Sequence, residues 1–226
     1  AGSTCWRHTN DRVIRFWRLA WKRRSLRSPW TSWAKGSFYA AAYHRRVDGT
    51  ITRIATQAPG SLLLYNVFQN GGRSWSTGSE LVWQQTVSPR LSLSANATAY
   101  RRVVDAFSVV NQYPVQVRYS AAREQLTSGN VKLNAVIRLP REWQTQVSSV
   151  YLAPDLLPQG RIGSRYSLDV GMKKSVQQGK GEIVVNATDL LNTNQARRTI
   201  RGTDFRLVST DYLETQVIRA GYNWKF

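Results

Sequence analysis

Cysteine is almost missing. Cys5 is the single thiol in 226 residues, so neither an internal disulfide nor a Cys-rich zinc site can form. Histidine is nearly as scarce, with His8 and His44 alone, which leaves metal or triad chemistry little raw material. Phosphate loops, nucleophile elbows and metal-ligand spacings do not occur. A carboxylate pair, if sought, would come from Asp169, Glu182 and Asp189, yet parity makes Asp169 and Glu182 ordinary inward strand residues. The chain is therefore expected not to be an enzyme, with no catalytic residue, cofactor or metal. Also absent is any apolar run of about 18 residues, which excludes a spanning helix. The start, Ala-Gly-Ser, shows no apolar signal-peptide core. Acidic residues number only 13 against 32 Lys+Arg, giving a formal net charge of +19. What remains is 42% hydrophobic and 11% aromatic, too rich for a disordered basic tail.

The charge is uneven. Residues 1–33 carry eight basic residues, Arg7 to Arg27, against the lone acid Asp11. Five of the nine Trp lie there too: Trp6, Trp17, Trp21, Trp30 and Trp33. Basic stretches with interleaved rings suit nucleic acid, through phosphate pairing and base stacking. Ile14, Trp17 and Trp21 on one helical stripe would instead suit an anionic membrane surface. With no clear period, the segment reads as non-native or disordered, and not as a barrel strand.

From residue 34 the pattern changes to period two. Leu91, Leu93, Ala95, Ala97 and Ala99 alternate with Ser92, Ser94, Asn96, Thr98 and Tyr100. Val131 to Leu139, Tyr166 to Met172 and Ile218 to Phe226 alternate in the same way. Successive strand side chains point to opposite faces, so each segment has an apolar and a polar side. With 34–45, 76–86, 143–152 and 182–190, these make about eight strands. Short connections (87–90, 140–142, 177–181) alternate with long ones (46–75, 105–122, 153–163, 191–211). Tight turns at one end and long loops at the other are the plan of a transmembrane barrel. The fold expected is all-β: an antiparallel up-and-down meander of about eight strands, part of such a barrel.

Aromatic placement agrees. Trp83, Trp143, Trp224 and Phe226 fall near short-turn ends, Tyr43, Tyr151, Tyr166 and Tyr212 near long-loop ends. Tyr222 stands beside Trp224 on the last strand. Two aromatic rows are what two membrane interfaces select. Tyr43, Trp83, Trp143, Tyr151, Tyr166 and Tyr222 are the candidate interface residues. Lys132, Asn134, Arg138, Asp169, Lys173, Arg219, Asn223 and Lys225 share the other side, which suits a wet lumen.

The C-terminus reads Arg219, Gly221, Trp224, Phe226, a polar-x-Gly-x-x-aromatic-x-aromatic pattern ending on Phe. It resembles the terminal β-signal that assembly machinery recognises in bacterial outer-membrane barrels. Ser167 to Lys174, a Gly turn, and Asn186 to Asn192 are similar to the closing strands of TonB-dependent receptors, in the outer-membrane barrel branch common in Bacteroidota. Ser37-Phe38-Tyr39, Arg45 to Asp48, Ile51, Tyr65-Asn66-Val67 and Gly78 to Leu81 resemble an earlier hairpin of the same barrels. The resemblance covers 34–226 and implies a receptor in the outer membrane for energised uptake of a scarce ligand: an iron chelate, a cobalamin or an oligosaccharide. Such receptors close with about 22 strands around a plug. This chain offers about eight and neither plug nor energy-coupling box, so it is expected to be a C-terminal barrel portion. Outer-membrane lipid, lipopolysaccharide and the barrel-assembly machinery are the implied partners. The energy-coupling TonB complex would engage only through a plug.

Two alternatives stand beside this. Eight strands can close around a side-chain-filled interior, as a small anchoring or adhesive barrel. A basic β protein could bind nucleic acid, since residues 34–226 still hold 24 basic against 12 acidic side chains. Loop residues Arg161, Arg165, Arg197, Arg198, Arg201 and Arg206 could meet its phosphates or those of lipopolysaccharide. No nucleic-acid partner is expected.

Overall fold

The computed structural model describes residues 11–21, 35–57, 60–113, 115–212 and 214–225. One antiparallel sheet organises them. Its nine strands, in sheet order, are β1 (Asp11–Trp21), β2 (Lys35–Val47), β5 (Ser74–Ser88), β6 (Leu91–Val104), β9 (Glu124–Arg138), β10 (Trp143–Leu152), β13 (Arg165–Val176), β14 (Gly181–Thr188) and β17 (Val217–Trp224). Each strand pairs with the next in that order, so the sheet is a meander. The eight strands expected from alternation are all present, as β2, β5, β6, β9, β10, β13, β14 and β17.

One expectation is corrected. Residues 11–21 form a strand, with Trp17, Leu19 and Trp21 opposite Ala42, Ala40 and Phe38. The register shifts between Ile14 and Phe16, and such a bulge inverts the parity on either side of it. A period-two search therefore fails across the whole segment, and the helical stripe through Ile14, Trp17 and Trp21 has no helix to carry it. The other residues of 1–33, and Phe226, lie outside the described residues.

Short turns join β5 to β6, β9 to β10 and β13 to β14. In the β9–β10 turn Arg141 and Glu142 have φ of 59° and 63°. That left-handed geometry matches the twist of a tight hairpin. At the other end, each long connection carries a hairpin of its own. These are β3 (Ile51–Gln57) with β4 (Leu64–Asn70), β7 (Phe107–Asn111) with β8 (Val117–Ala121), β11 (Asp155–Leu157) with β12 (Gly160–Ile162), and β15 (Gln195–Arg201) with β16 (Arg206–Tyr212). β12 also pairs with β15, which merges two of the hairpins into a four-stranded sheet.

Burial divides the molecule. Ile54, Ala55, Thr56, Asn111, Tyr119, Leu156, Gln159 and Ala196, all in the hairpins, are buried. In the large sheet few residues are, Ala41 and Val103 among them.

Candidate functional site

The ladder fixes which side chains share a face, because residues directly opposite in an antiparallel pair point the same way. Following partners from strand to strand, one face gathers Phe38, Ala40 and Ala42, then Leu81 and Trp83, then Leu91 to Ala99 by twos. It continues through Val131, Leu133, Ala135 and Ile137 to Val147 and Tyr151, then Tyr166, Leu168, Val170 and Met172. Ile183, Val185 and Ala187, with Ile218, Ala220, Tyr222 and Trp224, complete it. Phe38, Leu81, Trp83, Val131, Leu133, Tyr151, Met172, Ile183, Val185, Ile218, Tyr222 and Trp224 are all exposed. A continuous exposed apolar face across eight strands far exceeds the patches that water-soluble monomers tolerate.

Its borders are amphipathic. At the short-turn side Lys174 Nζ lies 5.1 Å from the Trp143 ring. There the Tyr222 hydroxyl donates to Gln177 Oε1 at 2.7 Å. At the other side Tyr151 and Tyr166 stand opposite one another. From Trp143 to Tyr151 is eight residues, roughly 27 Å along the strand at about 3.4 Å per residue. A barrel's apolar band is about 25 Å tall with aromatic girdles at its edges, so the spacing suits a membrane.

The opposite face is polar. Asn134 bridges three strands, donating to Ser94 Oγ at 3.3 Å and accepting from the Ser148 hydroxyl at 2.8 Å. Lys173 pairs with Glu182 at 3.3 Å. Asp169, Arg138, Arg219 and Asn223 share this face by register. Higher on the wall, Tyr43, Arg45, Glu80, Thr98, Tyr100, Arg102 and Asn130 line a cavity of about 420 Å³.

Of the candidate interface residues, Trp83, Trp143, Tyr151, Tyr166 and Tyr222 share the apolar face by register. Tyr43 is a correction: it stands opposite Gly78, and Gly78 opposite Tyr100, on the polar wall. The run Ala40-Ala41-Ala42 before it carries no contrast from which parity can be counted. Of the assembly residues, Arg219 and Gly221 point to the polar side, and Trp224 to the apolar side beside Tyr222 at 6.4 Å. Phe226 lies outside the described residues. Tyr212 belongs to β16, beyond the large sheet.

Sequence reasoning missed the links among the loops. Gln159 Nε2 donates to the Ala55 carbonyl at 3.1 Å while its Oε1 accepts from Ala55 N–H at 2.6 Å. Gln69 donates to Asn111 Oδ1 at 2.8 Å, and Asn111 donates to Thr56 Oγ1. Side chains thus complete strand-like pairing between different hairpins. Single Asn and Gln residues in loops give no sequence signal for this.

Two loop carboxylates are held ionised. Asp48 is kept below the usual range by hydrogen bonds from Arg73 at 2.6 Å and Arg46 at 3.1 Å. For Asp189, just beyond β14, burial works to raise the value. The Thr215 hydroxyl and the Thr193 and Asn194 amides outweigh it, and the net shift is downward.

The outward apolar face, girdled at both ends, and the polar inner wall agree with a comparison against known families. The outer membrane protein beta-barrel family matches residues 30–224. The chain belongs to that family. It is accordingly a protein of the bacterial outer membrane, and an exposed apolar face is the side that such a barrel turns to lipid. Neither the curated proteins nor the solved structures gave a match.

Proposed function

We propose that this outer-membrane barrel chain is the C-terminal barrel portion of a TonB-dependent receptor that takes up a scarce ligand, an iron chelate, a cobalamin or an oligosaccharide. The observation that carries the reading is the open sheet. Among the described residues β1 and β17 are the two ends of the strand order and do not pair with each other. A sheet in lipid must satisfy every backbone group, so each edge calls for a further strand. A nine-stranded wall open at both edges is compatible with a larger barrel, and transporters of about 22 strands enclose a plug. The reverse order of turn and loop lengths, with structured hairpins at one end, supports a ligand-collecting outer surface.

In this reading the barrel-assembly machinery recognises Arg219, Gly221, Trp224 and Phe226. The outer leaflet contacts the apolar face, and lipopolysaccharide phosphates meet Arg161, Arg165, Arg197, Arg198, Arg201 and Arg206. The energy-coupling TonB complex engages only through a plug, and neither catalysis nor nucleic-acid binding belongs to the protein.

The test is a pair of cysteines, at Leu19 in β1 and Ala220 in β17, in a Cys5→Ser chain assembled into outer membranes. Receptor architecture predicts no disulfide between them, and it predicts that the same barrel joined to its plug accumulates ligand only while the energy-coupling complex is present. Efficient cross-linking would mean a small closed barrel of anchoring type, and the uptake reading would fall. Deleting Phe226 should lower the assembled fraction, whereas unchanged assembly would remove the β-signal role.

A further inference from the structure

The β11–β12 hairpin does not stand away from the sheet. It is held at three points, on the polar wall and on the neighbouring hairpins. Asp155 Oδ2 accepts from the Tyr100 hydroxyl and from Arg102 Nη1, each at 2.8 Å. Leu156 is 4% exposed and lines an inner cavity with Val104, Phe107 and Pro158. Gln159 is clamped to β3 through both of its amide atoms.

We propose that Tyr100 and Arg102 form a binding site for a carboxylate-bearing solute on the polar wall, and that the chain fills this site with its own Asp155. Three features carry the assignment. First, the donors converge on one oxygen, while Oδ1 is occupied locally by the Leu156 N–H at 2.8 Å, so the pair recognises a single carboxylate edge. Second, the cation is pre-positioned: the Arg102 guanidinium lies 5.4 Å from the Tyr100 ring centre, on the same wall. A placed guanidinium and a phenolic O–H are a charge-assisted combination suited to carboxylate. Third, the site opens beside the cavity of about 420 Å³ lined by Tyr43, Glu80, Thr98 and Asn130, which has room for the rest of a small solute.

Exchange requires little rearrangement. Leu156 and Gln159 hold the hairpin without Asp155, so rotation of one side chain vacates the donors. The solute carboxylate then takes the place of the Asp155 carboxylate, with no change in net charge at Arg102. The site stands on the wall geometry and does not depend on the uptake reading.

The experiment measures phenylglyoxal modification of individual arginines by peptide mass mapping, on the full chain folded in lipid. Arg101 serves as control, since it lies on the opposite face and bonds Gln125 at 2.5 Å. Asp155→Asn should raise the Arg102 rate roughly fivefold, the scale of a part-exposed ion pair, and leave Arg101 unchanged. Sodium succinate should restore the slow rate, while sodium chloride of equal ionic strength should not. An unchanged Arg102 rate, or equal protection by chloride, would overturn the site. If Asp155→Asn also alters the Arg101 rate, Tyr100→Phe decides. Arg102 must then react faster, and succinate must protect it less than in the native chain, or the proposal fails.

Discussion

The membrane sheet and the loop hairpins are both antiparallel β structure, yet they are built inside out from one another. In the large sheet the big apolar side chains are outside: Leu133 is 50% exposed and Ile218 73%. In the hairpins Ile54 is 0% exposed and Leu156 4%, as in a water-soluble core. The solvent explains the contrast. Lipid removes the penalty for exposed Leu and Ile, so the sheet turns them outward and satisfies its backbone strand to strand. The hairpins meet water and must bury what little apolar surface they have. Short strands bury too little of it alone, and Gln159, Gln69 and Asn111 supplement the packing by bridging hairpin to hairpin.

The sharpest way to break the comparison is to place charge on either face of one strand. Leu133→Arg sets a cation in the apolar row of β9, where such a change costs about 2–4 kcal/mol near the bilayer midplane. The folded, membrane-inserted fraction should fall steeply. Lys132→Gln, one residue away on the polar wall, should leave it unchanged. Equal losses would mean that the two faces are not solvated differently.

In the hairpins the rule reverses. Ile54→Ala should cost roughly 2–5 kcal/mol, as for other fully buried aliphatic truncations. The loss should be local. Proteolytic nicking within 51–70 should rise while the inserted fraction stays constant, because β3 and β4 pair only with each other. If Ile54→Ala instead blocks insertion, loops and sheet form one cooperative unit.

A smaller effect is expected at Asn111, which is completely buried and hydrogen-bonded to Gln69 and Thr56. Asn111→Ala leaves those partners unmatched, at about 1–3 kcal/mol. Faster hydrogen exchange in β3, β4 and β7 would register it, and exchange in β6 and β9 should not change.

The same contrast explains what was legible in the sequence. The eight strands β2 to β17 of the large sheet declare themselves because one face is lipid and the other is wet, so Leu91 to Tyr100 alternates cleanly. The loop hairpins have no such two-phase surroundings. Gln195-Ala-Arg-Arg-Thr-Ile-Arg201 pairs as a strand with no apolar stripe to betray it. β1 is concealed by its bulge, and the face of Tyr43 is hidden by the three alanines that precede it, since nearness to a loop end does not fix parity. Spacing finds Trp83, Trp143, Tyr151 and Tyr166 on the apolar face, but it also names Tyr43 and Tyr212, which lie elsewhere. The Asp155 contact is not legible, since it joins residues 55 and 53 positions apart through a loop that gives no periodic signal.

The smallest effect is expected where loop meets sheet. Asp189 is 2% exposed, and its carboxylate gathers the 193–194 and 215 segments at the top of β14. Its folded value lies below the ordinary one despite burial, so the ionised form favours the folded turn. The sign follows: this contribution is fully present above the ordinary carboxylate value and is lost as pH falls through the depressed one. Amide exchange at Thr193 and Asn194 should therefore speed up in acid, after correction for intrinsic rates, while amides of β9 and β10 keep their protection. Asp189→Asn should make the same two amides exchange faster at neutral pH and abolish the acid dependence. Exposed Asp48 is also held ionised, by Arg73 and Arg46, and tests the origin of the effect. Its pairing is open to salt screening, whereas the amide and hydroxyl donors around Asp189 carry no charge to screen. Added salt should accordingly weaken the Asp48 contact and leave the Asp189 profile in place. A salt-sensitive Asp189 profile would mean that distant charges, rather than the turn's own donors, keep that carboxylate ionised.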